Sequence, residues 1–550
     1  MESSKVILYQ IFTRLYTNRN TTRKAGGTIE ENGCGKMNDF TPTVLKKISQ
    51  LGVSHIWYTG VLRHATMTDY TQYGIPRQHP AVVKGRAGSP YAITDYYDID
   101  PDLAVSVDNR MEEFVQLVER THQAGMKVII DFVPNHVARQ YHSVSKPRGV
   151  SDLGASDNLD EGFSPQNNFY YCPGQKFTPY FDLYHGETEP YIEEPAKATG
   201  NDCFHNAPGQ NDWYETVKLN YGVDYYAGRI GHFDPVPDTW LKMTQILLFW
   251  AKKGIDGFRC DMAEMVPAEF WAYATSKVKA QFPALLFIGE VYNPSEYRHY
   301  IASGFDYLYD KVGMYDTMFQ IIRGQQSTQA ITVAWQQTDD IRQHMLYFLE
   351  NHDELRIGSD FFAGDGLKAV PALVVNALMQ QNPFMLYAGQ EFGEHGMDHE
   401  GFSGHDGRTT IFDYWSVDTL TRAAKKQLTA DEQHLADIYK KVLGIARKEK
   451  AVSDGAFYDL MYVNQQYHHQ YMFLRKSKTS TLLVVANFSD LAASVDVFLP
   501  AHAFDYLALR EKHYVATDLL SGSAIEVELK AGQSVRLEVP VRGAVIYKLK

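Results

Sequence analysis

The chain has 550 residues, of which 44% are hydrophobic and 22% charged, a balance that suits a soluble globular protein of two or three domains. Its formal net charge of −13 repels phosphate backbones and argues against nucleic acid as a partner. No apolar run reaches membrane-spanning length, and the opening segment MESSKVILYQIF has neither the basic region nor the apolar core of a signal peptide, so a cytoplasmic protein without membrane partners is expected.

Apolar runs with helical patterns between them recur along the chain. They cover 5–12, 53–60, 127–133, 256–262, 284–291, 305–312, 345–351 and 383–389. Met111, Phe114, Val115, Leu117, Val118 and Thr121 mark a helix over 108–125, with Gly125 free to adopt the left-handed end conformation. A second helix spans 239–253 and stops at Gly254. The eight runs lack polar alternation and read as parallel strands covered on both faces. A doubly wound sheet and a (β/α)8 barrel both fit this α/β pattern. The barrel is favoured because four runs end in chemically active residues, and barrel sites are built at strand C-termini. Residues 137–237 break the rhythm with Asn-, Gly-, Pro- and Tyr-rich sequence and read as an irregular domain inserted after the third strand. From 451 to 550 short β runs predict an antiparallel β-sandwich. The barrel then comprises 1–136 and 238–450.

The four cysteines, Cys34, Cys172, Cys203 and Cys260, form no CxxC pair and are too few for a disulfide framework. A reducing compartment is expected, and pairing of Cys172 with Cys203 stays open. Aromatic residues reach 13%, with 36 Tyr and 7 Trp. Most belong in the core, and some could stack on the C–H faces of sugar rings.

Four strand ends carry the chemistry. In DGFRCDM, alternation puts Arg259 and Asp261 on one face, and a guanidinium beside a carboxylate favours the ionised state that a nucleophile needs. In LLFIGEV, Glu290 follows an apolar strand, where burial favours the protonated form that a general acid needs. FLENHDE supplies His352 and Asp353, and a second carboxylate can stabilise an oxocarbenium-like centre. DFVPNH supplies Asp131, Asn135 and His136: Asp131 to organise the site, Asn135 to order the insert, His136 to bond a sugar hydroxyl. Each has a plainer reading when taken singly, as an ion pair, a loop contact or a satisfied core histidine.

Taken in order, DFVPNH, GFRCDMAE, FIGEV and FLENHD resemble the four signature segments of the α-amylase family of retaining glycoside hydrolases. The resemblance runs from about residue 5 to the C-terminus. It implies Asp261 as nucleophile, Glu290 as general acid/base and Asp353 as transition-state stabiliser. Arg259 would hold Asp261, while His136 and His352 would bind the sugar at the cleavage point. SPYAITDYYDID resembles the segment after strand two, where Tyr91 would stack on that sugar and Asp95 would support the site. The implied substrates are α-1,4-glucans such as starch, glycogen and maltodextrins. An α-glucanotransferase, or an enzyme cleaving cyclodextrins, pullulan or branches, would use the same site. A non-catalytic glycan-binding protein on this fold would have lost one acid, and all three are present.

Three departures stand out. DMAEM places Glu264 and Met265 where many members carry Lys-His. TVKLN places Lys218 where calcium-binding members carry an Asp, so no cofactor is expected and the interdomain calcium is predicted to be absent, partly replaced by Lys218. WYTGV places Thr59-Gly60 where Ser/Thr-Pro is usual, and Gly permits an unusual backbone path.

Overall fold

A computed structural model describes residues 5–183, 189–396 and 405–550. Eight parallel strands close into a barrel: β1 (Ile7–Phe12), β2 (His55–Thr59), β3 (Lys127–Phe132), β4 (Gly257–Cys260), β5 (Leu286–Gly289), β6 (Tyr307–Tyr309), β7 (Met345–Phe348) and β8 (Phe384–Tyr387). Their spatial order follows the chain, and β8 pairs with β1 to complete the ring. The strands are apolar in both directions because both faces are buried. Leu8, Trp57, Ile129, Ile288, Leu346 and Met385 fill the barrel interior, and the outer face packs under helices.

Helices α1 (Arg110–Gln123), α2 (Asp238–Ala251) and α3 (Ala268–Gln281) belong to the outer layer. Phe114, Leu117, Val118 and Thr121 are the buried stripe of α1. Gly125 and Gly254 have φ of 79° and 87° and follow α1 and α2, as the sequence suggests. The sixth apolar run is shorter than expected. It forms a strand only over Tyr307–Tyr309, because the buried carboxylate of Asp310 accepts the Met314 N–H (2.8 Å) and caps a π-helical turn over Lys311–Tyr315.

The insert is irregular, as its composition implies. Strand His136–Ala138 pairs antiparallel with Thr216–Lys218, which draws the two ends of the insert together and sets Lys218 opposite His136. Beyond 450 every strand is antiparallel. Six form one sheet and two, Ala493–Leu499 and Gln533–Val539, form a second. Arg475 joins this region to the barrel from a buried position, donating to the carbonyls of Ala451 (2.9 Å) and Met379 (3.0 Å).

All four cysteines are free thiols, and Cys203 Sγ lies 3.2 Å from His205 Nε2. Among the described residues no helix is long and apolar enough to cross a membrane.

Trp271 on α3 is fully buried, packs edge-on against Phe305 and donates Nε1–H to the Ala263 carbonyl (3.1 Å), just behind the end of β4. Trp271→Ala should lower unfolding stability by about 3–5 kcal/mol in chemical denaturation. A loss below about 1 kcal/mol would show that this packing does not support the strand end.

Candidate active site

The site begins with one buried cation. Register places Arg259 on β4 beside Asp131 on β3 and Ile288 on β5. Its guanidinium is completely buried, donates from Nη1 to Asp261 Oδ1 (2.7 Å) and lies 2.7 Å from Glu290 Oε2 through Nη2. Nε donates to the Tyr309 hydroxyl (3.2 Å), and Asp131 Oδ1 lies 3.9 Å from Nη1. The rings of Trp57, Tyr91 and Tyr309 surround it with centroids 5.1, 5.5 and 5.6 Å away. A cation held by two carboxylates and three aromatic faces cannot reorient without breaking several contacts at once.

Glu290 ends β5. Its Oε1 accepts from the Tyr292 hydroxyl (2.6 Å), and its Oε2 accepts from the Met262 N–H (2.8 Å). Met262 supplies that N–H from a left-handed conformation, φ 43°, which is unfavourable for a side-chain-bearing residue and common at functional turns. Glu264 accepts the backbone N–H groups of Tyr292 (3.1 Å) and Asn293 (3.0 Å), and so fixes the turn beyond Glu290. This is what Glu264 does in place of the usual Lys-His.

After β7, Asn351 Oδ1 accepts the N–H groups of Asp353 (2.8 Å) and Glu354 (2.9 Å), a local turn that presents residues 352 and 353. Buried Glu350 pairs with Arg356 at 2.9 Å, behind the turn. His352 Nε2 lies 2.5 Å from the Tyr91 hydroxyl and 3.1 Å from Asp353 Oδ2, and its Nδ1 is 2.7 Å from Gln10 Nε2. With the Gln10 amide donating to Nδ1, the ring carries its proton on Nε2, the side facing Tyr91 and Asp353.

Asp131 Oδ2 accepts the Gly60 N–H (3.2 Å). Gly60 has φ 78°, and this conformation explains the glycine after β2: it aims an N–H at Asp131. Asp261, Glu290, Asp353, Tyr91 and His136 line one cavity of about 380 Å³. Arg259 and His352 are bonded directly to these liners. Asp95 requires a correction. It is fully buried, and its oxygens accept from Arg63 (3.0 Å), Ser143 Oγ (2.6 Å) and the N–H groups of Val144 (2.8 Å), Ser145 (3.1 Å) and Tyr97 (2.9 Å). With so many donors already engaged, Asp95 anchors the start of the insert and presents nothing to a ligand.

Electrostatics correct a second expectation. Burial pushes the Asp261 carboxyl well above its ordinary range despite the pull of Arg259, and the charge of Glu290 pushes the same way. Asp353, whose side chain is 38% exposed, is pushed in the same direction by partial burial first and Glu290 second. One guanidinium does not neutralise the neighbouring acids, and Asp261 and Asp353 are both pushed upward, so the two titrate interdependently. Considering only the Arg259 neighbour missed both burial and the second acid. Burial lowers His136 to about 3 and His352 well below its usual value, so both rings are neutral. Gln10, Trp57, Tyr292 and Tyr309 were missed in the sequence. Only Gln10 carried a signal, as the one amide within the apolar run LYQIF.

The profile of the alpha-amylase catalytic domain matches residues 10–451. The chain belongs to the alpha-amylase family of glycoside hydrolases. It is 25% identical to Alpha-amylase 3 of Dictyoglomus thermophilum, over 66% of this chain and 68% of that protein. It is also 25% identical to an alpha-amylase of Streptomyces lividans, over 98% of this chain but only 58% of the longer relative. Among solved structures, a noncanonic maltogenic alpha-amylase of Thermotoga neapolitana superposes with TM-score 0.63 at 19% identity, covering 99% of this chain and 98% of that one. An alpha-amylase of Geobacillus thermoleovorans, complexed with acarbose, gives 0.65 at 18% identity, with the same coverages. These two likenesses establish the shared fold.

Where alpha-amylase family members can hold calcium between barrel and insert, this chain holds an ammonium. Lys218 Nζ donates to Asn135 Oδ1 (2.5 Å), lies 2.6 Å from Asp202 Oδ1 and reaches the Met265 carbonyl (3.4 Å). Asn135 Nδ2 donates to the Gly200 carbonyl (2.8 Å), joining β3 to the insert. Calcium needs six to eight oxygens at about 2.3–2.6 Å. The oxygens here face a tethered cation, so the residues do not fit the metal. No group of three or more His, Cys, Asp or Glu among the described residues could hold one elsewhere.

Lys218→Met removes the positive charge while keeping most of the volume, leaving Asn135 Oδ1 buried and Asp202 unpaired. Unfolding stability should fall by about 3 kcal/mol, measured by chemical denaturation. An unchanged midpoint would mean that Lys218 does not hold the insert to the barrel.

Proposed function

We propose that the enzyme hydrolyses α-1,4-glucosidic bonds in starch, glycogen or maltodextrins with retention of configuration. The observation that carries this reading is the single guanidinium gripping both Asp261 and Glu290. Retaining glycosidases need their two carboxyl groups about 5–5.5 Å apart, whereas inverting ones leave room for a water between groups at about 6.5–9.5 Å. Two acids each 2.7 Å from a terminal nitrogen of one guanidinium suit the shorter spacing.

Asp261 attacks the anomeric carbon while Glu290 gives its proton to the glycosidic oxygen. The C1–O bond breaks, the leaving chain departs as an alcohol and a glucosyl ester forms on Asp261. Glu290, now a carboxylate, takes a proton from water. The water oxygen attacks C1, Asp261 is released and Glu290 is again protonated. Asp353, open to the cleft with a side chain 38% exposed, stabilises the positive charge developing on the ring. Neutral His136 and His352 bond sugar hydroxyls without adding positive charge next to it. Tyr91 supplies a stacking face. The Tyr292 hydroxyl and the Met262 N–H orient Glu290.

Calcium takes no part in this reading, since Lys218 supplies the positive charge at the barrel–insert junction. A cytoplasmic setting, in keeping with four free thiols, belongs to the same reading.

Asp261 and Asp353 must be ionised to act, and burial raises both, so activity should be lost as pH falls. The acid limb of kcat/KM should lie above the ~4 of an ordinary carboxylate. Glu290→Gln should keep the fold and bind maltodextrin while kcat drops at least ~100-fold. A flat profile down to pH 4.5, or undiminished turnover in the variant, would contradict these roles. Activity and thermal stability should also survive dialysis against a chelator, and inactivation reversed by added calcium would overturn the substitution by Lys218.

A further inference from the structure

The catalytic cavity is bordered on one side by loops bonded to each other, and the barrel shows which side. Glu290 stands at the end of β5. In a ring of eight strands the position across from β5 is β1, flanked by β8 and β2. Above β1, the loop after β2 and the loop after β8 are knitted together. Ala87 N–H donates to the Phe412 carbonyl (3.0 Å). Arg14, just beyond β1, is buried and donates to the carbonyls of Gly88 (2.9 Å) and Ile411 (2.8 Å), one from each loop. A Cβ on Gly85 would overlap the Phe412 carbonyl, so the two backbones are in direct contact there. The seam continues to the insert through Lys84 Nζ, 3.0 Å from Glu215 Oε2, with side chains only 10% and 5% exposed. Lys84, Glu215, Ile411 and Phe412 all line the cavity that holds the three acids.

This placement bears on substrate direction. Glu290 faces the oxygen of the leaving chain. C1 and C4 lie at opposite ends of a glucose ring, so anything attached to O4 of the attacked sugar extends away from Glu290, towards the seam. An enzyme that cuts in mid-chain needs an open groove there. Here three segments from different parts of the fold are joined to each other by buried bonds beside the cavity, whose volume of about 380 Å³ falls near the lower end of the ~300–1,000 Å³ usual for ligand pockets.

We propose that the enzyme works from the non-reducing end of an α-glucan and releases one or two glucosyl units per cut, with the Lys84–Glu215 pair and the seam between residues 85–88 and 411–412 as the stop one or two sugars back from the cleaved bond. The proposal rests on the glucosidic function stated above. It follows from topology: the strand that presents the acid lies opposite the strand over which the loops join.

The test uses maltoheptaose labelled at its reducing end, with and without a 4,6-O-benzylidene group on the non-reducing glucose, and follows early products by chromatography. The free chain should yield glucose or maltose together with a labelled chain shorter by one or two units. The blocked chain should react at least 100-fold more slowly. A Lys84→Ala/Glu215→Ala variant, checked for a cooperative thermal transition, should raise the blocked-to-free rate ratio at least tenfold and give longer unlabelled products. Equal rates for blocked and free chains, or internal fragments from the start, would overturn the end-directed reading while leaving the hydrolase intact. Failure to cleave either chain, or any other α-glucan, would remove the glucosidic function and this proposal with it. A folded double variant with an unchanged ratio would remove Lys84 and Glu215 as the stop.

Discussion

The buried guanidinium of Arg259 is the constraint around which the site is organised. An isolated cation in a barrel core is strongly disfavoured, and it is tolerated only where carboxylates and aromatic faces compensate for lost water. Asp261 and Glu290 lie within bonding distance of its two terminal nitrogens, and Trp57, Tyr91 and Tyr309 enclose it. The same contacts that make the cation tolerable fix the two acids relative to each other. Removing any partner would disturb both the charge balance and the geometry.

The rest of the structure serves this cluster. The barrel brings strand ends far apart in sequence to one rim, so that Asp131, Arg259 and Asp261, Glu290, and His352 and Asp353 meet. The insert covers the rim and is held by Asp95 at its start and by Lys218 at its end. The loops after β2 and β8 close the rim over β1 through Arg14. The cluster holds more acid than one arginine neutralises, and burial pushes Asp261 and Asp353 upward together.

The strands were legible because parallel barrel strands are apolar on both faces, and the two surface helices because Gly125 and Gly254 mark their ends. The three candidate acids could be picked out because each stands at or shortly beyond the end of an apolar run, and the fold brings them to one cavity. Legibility failed where a residue's role depends on distant partners. Asp95 sits in a segment that resembles a site element, yet residues 63 and 143–145 consume its oxygens, and no local pattern reveals that. The ionisation of Asp261 depends on Glu290, 29 positions away in the chain, and on burial that only the closed barrel creates. Tyr292 and Trp57 resemble any other core aromatics until the fold turns them towards Glu290 and Arg259. Lys218 stood out only against a pattern from related sequences, and its partner Asp202 was invisible.

The central claim is that Asp261 forms a covalent bond to the sugar. It is tested most directly by incubating the enzyme with a fluorinated α-glucosyl fluoride that slows release of the intermediate, then measuring intact mass and mapping the labelled peptide. One glucosyl adduct on the peptide carrying Asp261, lost on transfer to water or a sugar acceptor, is the predicted result. A label on Glu290 or Asp353, or turnover with no adduct at Asp261, would contradict the account.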